Sequence, residues 1–92
     1  MKYAVSFAGS YKRNRKKCEK RGLDISLLDR LVEKIANGEK LDPKYCDHQL
    51  VGFTKGIREC HIKPNWLSIY LLDEKEKTIV LINTGTHSDF FD

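Results

Sequence analysis

Apolar and polar positions change period along this chain of 92 residues, and the changes outline its elements. Tyr3, Val5 and Phe7 alternate with Ala4 and Ser6, which predicts a short opening strand. Ala8, Gly9 and Ser10 turn it into a helix. From Tyr11 to Arg21 the spacing Tyr11, Asn14, Cys18 leaves only a thin stripe among charged residues, so this helix is expected to be largely exposed. Gly22 fits a helix stop and Asp24 an N-cap, after which Leu27, Leu28, Leu31, Val32 and Ile35 recur at helical spacing until Asn37 and Gly38. The two helices read as a hairpin, the second carrying most of the apolar surface and the first most of the charge.

Residues 41–49 contain Pro43 and follow neither period, which predicts an ordered loop presenting Tyr45, Cys46, Asp47 and His48. Strand patterns return over residues 56–62, 66–72 and 77–83, with a short additional strand expected at residues 50–53. Their short connections suit antiparallel hairpins. The expected fold is α+β, a two-helix hairpin packed on one face of a small, mainly antiparallel sheet. In the last strand Val80 and Ile82 point one way and Ile79, Leu81 and Asn83 the other. Both faces are partly apolar, so the open one is expected to form a groove for a ligand or protein partner.

The length suits a single domain, residues 1–92, with no room for a second folding unit. Cys18, Cys46 and Cys60 are odd in number and lack a CxxC pair, which argues against a disulfide framework and for a reducing, cytoplasmic setting. No signal-peptide pattern or membrane-length apolar run is visible, so no membrane partner is expected. The net charge is only +4, but seven of the seventeen basic residues crowd between Lys12 and Arg21: Lys12, Arg13, Arg15, Lys16, Lys17, Lys20 and Arg21. Such a block favours a phosphate backbone; the alternative is a solvated helix face.

His48, His61 and His87 all fall in the second half, each beside a turn. Histidine exchanges protons near neutral pH, and converging histidines on a basic protein suit RNA cleavage. They could equally be exposed or structural, or supply three zinc ligands with Cys46 or Cys60 nearby, although their spacing matches no compact metal motif.

Three ordered segments carry more information: Asp47-His48-Gln49-Leu50, Arg58-Glu59-Cys60-His61-Ile62-Lys63-Pro64-Asn65-Trp66, and Thr84-Gly85-Thr86-His87-Ser88-Asp89-Phe90-Phe91. Together they resemble the YafQ branch of the RelE-like toxins, the toxin halves of bacterial toxin-antitoxin pairs, over essentially the whole chain. The resemblance implies a microbial-ribonuclease-type sheet with two helices on one face. It also implies a ribosome-dependent endoribonuclease that enters the A site, contacts ribosomal RNA, cuts messenger RNA during translation and is neutralised by a cognate antitoxin. Such cleavage requires neither cofactor nor metal. It needs an activated 2'-hydroxyl, a stabilised phosphorane-like transition state and a protonated leaving oxygen.

By the same resemblance His48, His61 and His87 are catalytic, with His87 expected as general acid, His48 as general base, and His61 sharing that role or steadying the phosphate. Arg58 is a support or rim candidate, because on a regular strand it faces opposite His61. Lys63 would help hold RNA, Trp66 would stack on a base or pack in the core, and Phe91 would contact substrate or shape the groove. The basic first helix would grip ribosomal RNA. Asn65 stands where the family pattern has an acid, and Asn83 where it commonly has an arginine. The first cannot supply a carboxylate charge and the second cannot clamp a phosphate with a fixed positive fork. That pair supports a second reading: a catalytically impaired homologue acting mainly through antitoxin or ribosome and RNA binding.

Overall fold

The structure is a computed structural model that describes residues 1–91; the side chain of Phe91 and all of Asp92 lie outside the described residues. Five strands, β1 (Ala4–Phe7), β2 (His48–Gln49), β3 (Ile57–Lys63), β4 (Trp66–Asp73) and β5 (Thr78–Gly85), form one sheet in the order β1-β5-β4-β3-β2. The β1–β5 pair is parallel and every other pair antiparallel. Helices α1 (Gly9–Lys20) and α2 (Ile25–Ala36) form the expected hairpin, and a short α3 (His87–Phe91) follows β5. The α+β class and the helix-on-sheet layering agree with the pattern of the sequence.

The helices bury what their spacing predicts. α1 buries only Tyr11 and Cys18, whereas α2 buries Ile25, Leu28, Leu31, Ile35 and Ala36. Between them the chain reverses at Gly22, whose φ of +89° suits glycine, and restarts at Asp24, whose carboxylate accepts from the Ser26 N–H at 3.0 Å. Tyr3, Cys60, Ile62, Trp66, Tyr70, Ile79 and Leu81 meet these helices in one core. Tyr3 also ties the chain start to the end of α2 through its backbone N–H on the Ala36 carbonyl, and to the β4–β5 turn through its hydroxyl on Glu74.

Two details of the sheet differ from the sequence reading, besides the 3-10 turn at Pro43–Tyr45 and the short α3, neither of which was expected. No strand forms at residues 50–53: the turn there leaves Val51 and Phe53 exposed, and the pairing falls one step earlier, at His48 and Gln49 opposite Glu59 and Arg58. The cause lies before the turn, where Asp47 is anchored to β3 and β4 and sets which residues reach the sheet edge. The second difference is in β5. Ile69 pairs with Asn83 but Tyr70 pairs with Leu81, so Ile82 is an extra residue and the strict alternation breaks. Ile79 and Leu81 share one face, as their spacing predicts, and that face is the core, but Thr84, not Asn83, is the next buried residue.

Thr84 explains Trp66. The indole is 2% exposed, and its Nε1–H donates to Thr84 Oγ1 at 3.0 Å, while that hydroxyl donates to the Leu67 carbonyl. Of its two expected roles, stacking on RNA or packing in the core, the structure places Trp66 in the core. Trp66→Ala should therefore lower unfolding stability by about 3–5 kcal/mol, read as a reduced urea midpoint. An unchanged midpoint would contradict that placement.

Candidate functional site

Alternation along β3 sends Cys60 and Ile62 into the core and Glu59 and His61 to the opposite face. Glu59 lies centrally there, paired with His48 on β2 and Ile69 on β4. β5 ends at Gly85, and Thr86 turns the chain so that His87 opens α3 beside the same carboxylate. The imidazoles of His61 and His87 lie with ring centroids 5.4 Å apart at 51°. Glu59 Oε1 is 2.9 Å from His61 Nε2 and 3.7 Å from His87 Nε2. Exposure rises across the cluster, the side chains of Glu59, His61 and His87 being 6%, 18% and 49% exposed. A carboxylate therefore forms the floor, one imidazole the wall and the other the rim.

This geometry limits the proton positions. A carboxylate accepts, so His61 Nε2 carries the shared proton and Nδ1 is the nitrogen left for exchange. His48 is more exposed, and its Nδ1 lies 2.6 Å from the Cys46 carbonyl, which can only accept. The neutral ring thus presents Nε2 as an acceptor. Of the three histidines, the structure brings His61 and His87 together around Glu59 and sets His48 on the adjacent strand, in register with that carboxylate. Glu59 is the member that sequence reasoning missed. Its signal was present: two residues before His61 on a strand means the same face.

The supports lie on either side of the cluster. Arg58 faces away from His61, as its parity predicts, and its guanidinium holds Asp47 at 3.3 Å while the Tyr70 hydroxyl donates to the same carboxylate at 2.5 Å. Burial, then the Asp47 hydrogen bond, pushes the Tyr70 hydroxyl well above its ordinary range, so it remains a donor. This bracket fixes the residue immediately before His48. On the other side, Asp89 accepts from the Thr86 N–H at 2.8 Å and from Arg21 at 2.9 Å. A Cβ on Gly85 would meet Asp89 Oδ2 at 2.5 Å, so glycine is required where the strand passes into α3.

The remaining expected site residues occupy diverse positions. Lys63 and Asn65 are exposed around the two-residue β3–β4 turn. Asn83 turns its amide toward α1, where its Oδ1 accepts from Asn14 Nδ2 at 2.6 Å and from the Thr84 N–H at 2.9 Å. The side chain of Phe91 lies outside the described residues. In the basic block Lys12, Arg13, Lys16, Lys17 and Lys20 are exposed, whereas Arg15 pairs with Asp29 and Arg21 with Asp89. Cys18, Cys46 and Cys60 are unbridged, and burial pushes the Cys60 thiol up to about 12. The group with metal-ligand proximity contains Glu59 rather than a cysteine: His61, His87 and Glu59 offer ligand atoms within 4.8 Å of one another.

Fold and site together define a small α+β protein whose sheet carries a carboxylate–imidazole cluster on the face away from its helices. Residues 3–92 match the family model described as the bacterial toxin of type II toxin-antitoxin systems, YafQ, and the chain belongs to that family. It is 34% identical to the mRNA interferase toxin YafQ of Escherichia coli K12 over 88 residues, covering 95% of this chain and 94% of the relative. It superposes on a chain from the crystal structure of the E. coli DinJ-YafQ toxin-antitoxin complex with a TM-score of 0.91, 32% identity and full coverage of both chains. A metal-bound toxin from Helicobacter pylori is similar at a TM-score of 0.90 and 36% identity, covering 97% of this chain and 99% of that one.

The Arg21 and Thr86 contacts, the arginine first, hold the Asp89 carboxyl at about 2, below its ordinary value. A depressed folded-state value stabilises the protein above the unfolded carboxyl's pKa of about 3.9, and the contribution is lost as pH falls toward the folded value. Asp89→Asn should lower the thermal midpoint at pH 7, with the gap from wild type closing between pH 4 and pH 2. A pH-independent gap in thermal melts would remove this linkage.

Proposed function

We propose that this protein is an endoribonuclease toxin that cuts translated messenger RNA in the ribosomal A site by acid–base transesterification and is neutralised by a cognate antitoxin. The observation that carries the reading is the Glu59–His61–His87 cluster on the open sheet face, with His48 in register beside it. The family supplies the context, since the E. coli relative is an mRNA interferase and a similar chain is found in the DinJ-YafQ complex.

His48 Nε2 takes the proton of the 2'-hydroxyl, whose oxygen attacks the adjacent phosphorus. The bond from phosphorus to the 5'-oxygen breaks, and protonated His87, the most exposed member of the cluster, gives that oxygen its proton. The products are a 2',3'-cyclic phosphate and a 5'-hydroxyl. Glu59 holds His61 by its Nε2–H, so that its other nitrogen and its ring charge face the phosphate. Exposed lysines of α1 supply attraction to ribosomal RNA, whereas Arg15 and Arg21 are engaged in the ion pairs described above.

Expression without the antitoxin should produce new in-frame cleavages with 5'-hydroxyl ends, mapped by primer extension on translated messages. His87→Ala should abolish them, and Glu59→Gln should reduce them about a hundredfold without unfolding the protein. Growth arrest without such ends would defeat the nuclease reading.

A second reading concerns inhibition at the same atoms. Two imidazoles and a carboxylate with ligand atoms within 4.8 Å suit a divalent transition metal, and a similar H. pylori toxin is metal-bound. Such an ion would act as a Lewis acid and occupy nitrogens that RNA cleavage needs free. Micromolar Zn²⁺ should suppress cleavage and a chelator restore it, with calorimetric Zn²⁺ binding lost in His61→Ala. Undiminished cleavage in saturating Zn²⁺ would overturn this reading.

A further inference from the structure

A cavity of about 680 Å³ opens between α2, the 3-10 turn Pro43–Tyr45 and the end of β3. Arg30, Lys34, Lys44 and Lys63 line it, with His61 and Tyr45, and no carboxylate is among its lining residues. That is a marked segregation in a chain with thirteen acidic residues. The ammonium groups of Lys34 and Lys44 both lie over the Tyr45 ring, 6.0 and 5.2 Å from its centroid, which gathers two cations from separate elements at one aromatic side chain.

We propose that this groove is a single-stranded RNA subsite, holding the phosphate backbone of the strand that runs past His61 from the point of cleavage. The inference rests on the endoribonuclease reading and adds a path for the substrate. Three features favour RNA over an acidic peptide. His61 lines the groove at the end of β3 while its imidazole turns to the carboxylate–imidazole cluster, so one strand end joins the positive lining to the scissile position. The cations are spread over α2, the 3-10 turn and the β3 end, as a backbone charged at every residue requires. A flat base or sugar can rest on Tyr45, the aromatic ring over which Lys34 and Lys44 converge.

The test measures equilibrium binding of a labelled 2'-O-methyl single-stranded RNA, which lacks the attacking hydroxyl and cannot be cut. The K34A/K44A double variant should bind it at least tenfold more weakly than wild type, with a salt dependence shallower by about 0.7 for each phosphate that is no longer neutralised. The control K55A/K75A removes the same charge from a separate cavity that also contains Asp73 and Glu74, and should bind nearly as wild type. Equal losses in the two double variants, or no loss in K34A/K44A, would overturn the subsite. So would unchanged RNA binding in K34A/K44A together with loss of a leucine- and glutamate-rich peptide, which would make the groove a peptide site. Because the probe cannot react, the outcome is independent of catalysis: absence of 5'-hydroxyl ends in cells defeats the nuclease reading, and the binding series decides the groove.

Discussion

A carboxylate buried in a protein must be met by hydrogen bonds or opposite charge, at a cost of several kcal/mol if it is not. Glu59 meets that demand with His61 and His87, and much of the structure depends on how it does so. The alternation of β3 places Cys60 and Ile62 under the helices only while Glu59 and His61 face away. A slip of one residue would carry the carboxylate into the apolar core and the thiol out of it. The core and the site therefore enforce the same register, each penalising the error that would spoil the other.

The two flanking ion pairs extend this constraint to residues outside β3. Arg58 and Tyr70 hold Asp47, and the loop then delivers His48 opposite Glu59. Arg21 and the Thr86 N–H hold Asp89, and the turn then delivers His87 to the other side of the same carboxylate. In each bracket an arginine, Arg58 on β3 or Arg21 at the C-cap of α1, restrains a nearby segment by its acidic residue. His48 and His87 are thus set on either side of Glu59 by contacts made by Asp47 and Asp89, close to them in the chain.

The periodicities made the hairpin, the main strands along the chain and the antiparallel connections legible, because burial of α2 and the central strands follows local spacing, whereas the parallel pairing of β1 with β5 leaves no local signal. The opposite facing of Arg58 and His61 was legible for the same reason. The features that escaped depend on distant partners. Asp47 overrides the local apolar run at residues 50–53, and the extra residue Ile82 puts Thr84 rather than Asn83 next in the buried series. Arg21 stands in a run of exposed cations in the sequence, yet its partner Asp89 lies 68 residues away. Glu59 was hidden differently: an E-x-H spacing is common, and only the arrival of His87 gives it a second imidazole.

The two asparagines acquire different meanings in this frame. Asn65 is an exposed turn residue, while Asn83 accepts hydrogen bonds from Asn14 and from the Thr84 N–H where β5 bulges. An arginine has no acceptor and could make neither bond, so Asn83 closes the bulge against α1 at the expense of a fixed positive charge. On the endoribonuclease reading, the transition state must draw its positive charge from elsewhere. The histidines and Lys63 are then groups by which this sequence can supply it, with Glu59 setting how His61 is presented. Replacing an arginine by titratable rings ties phosphate stabilisation and proton transfer to the same groups, so the protonation state of the cluster governs both.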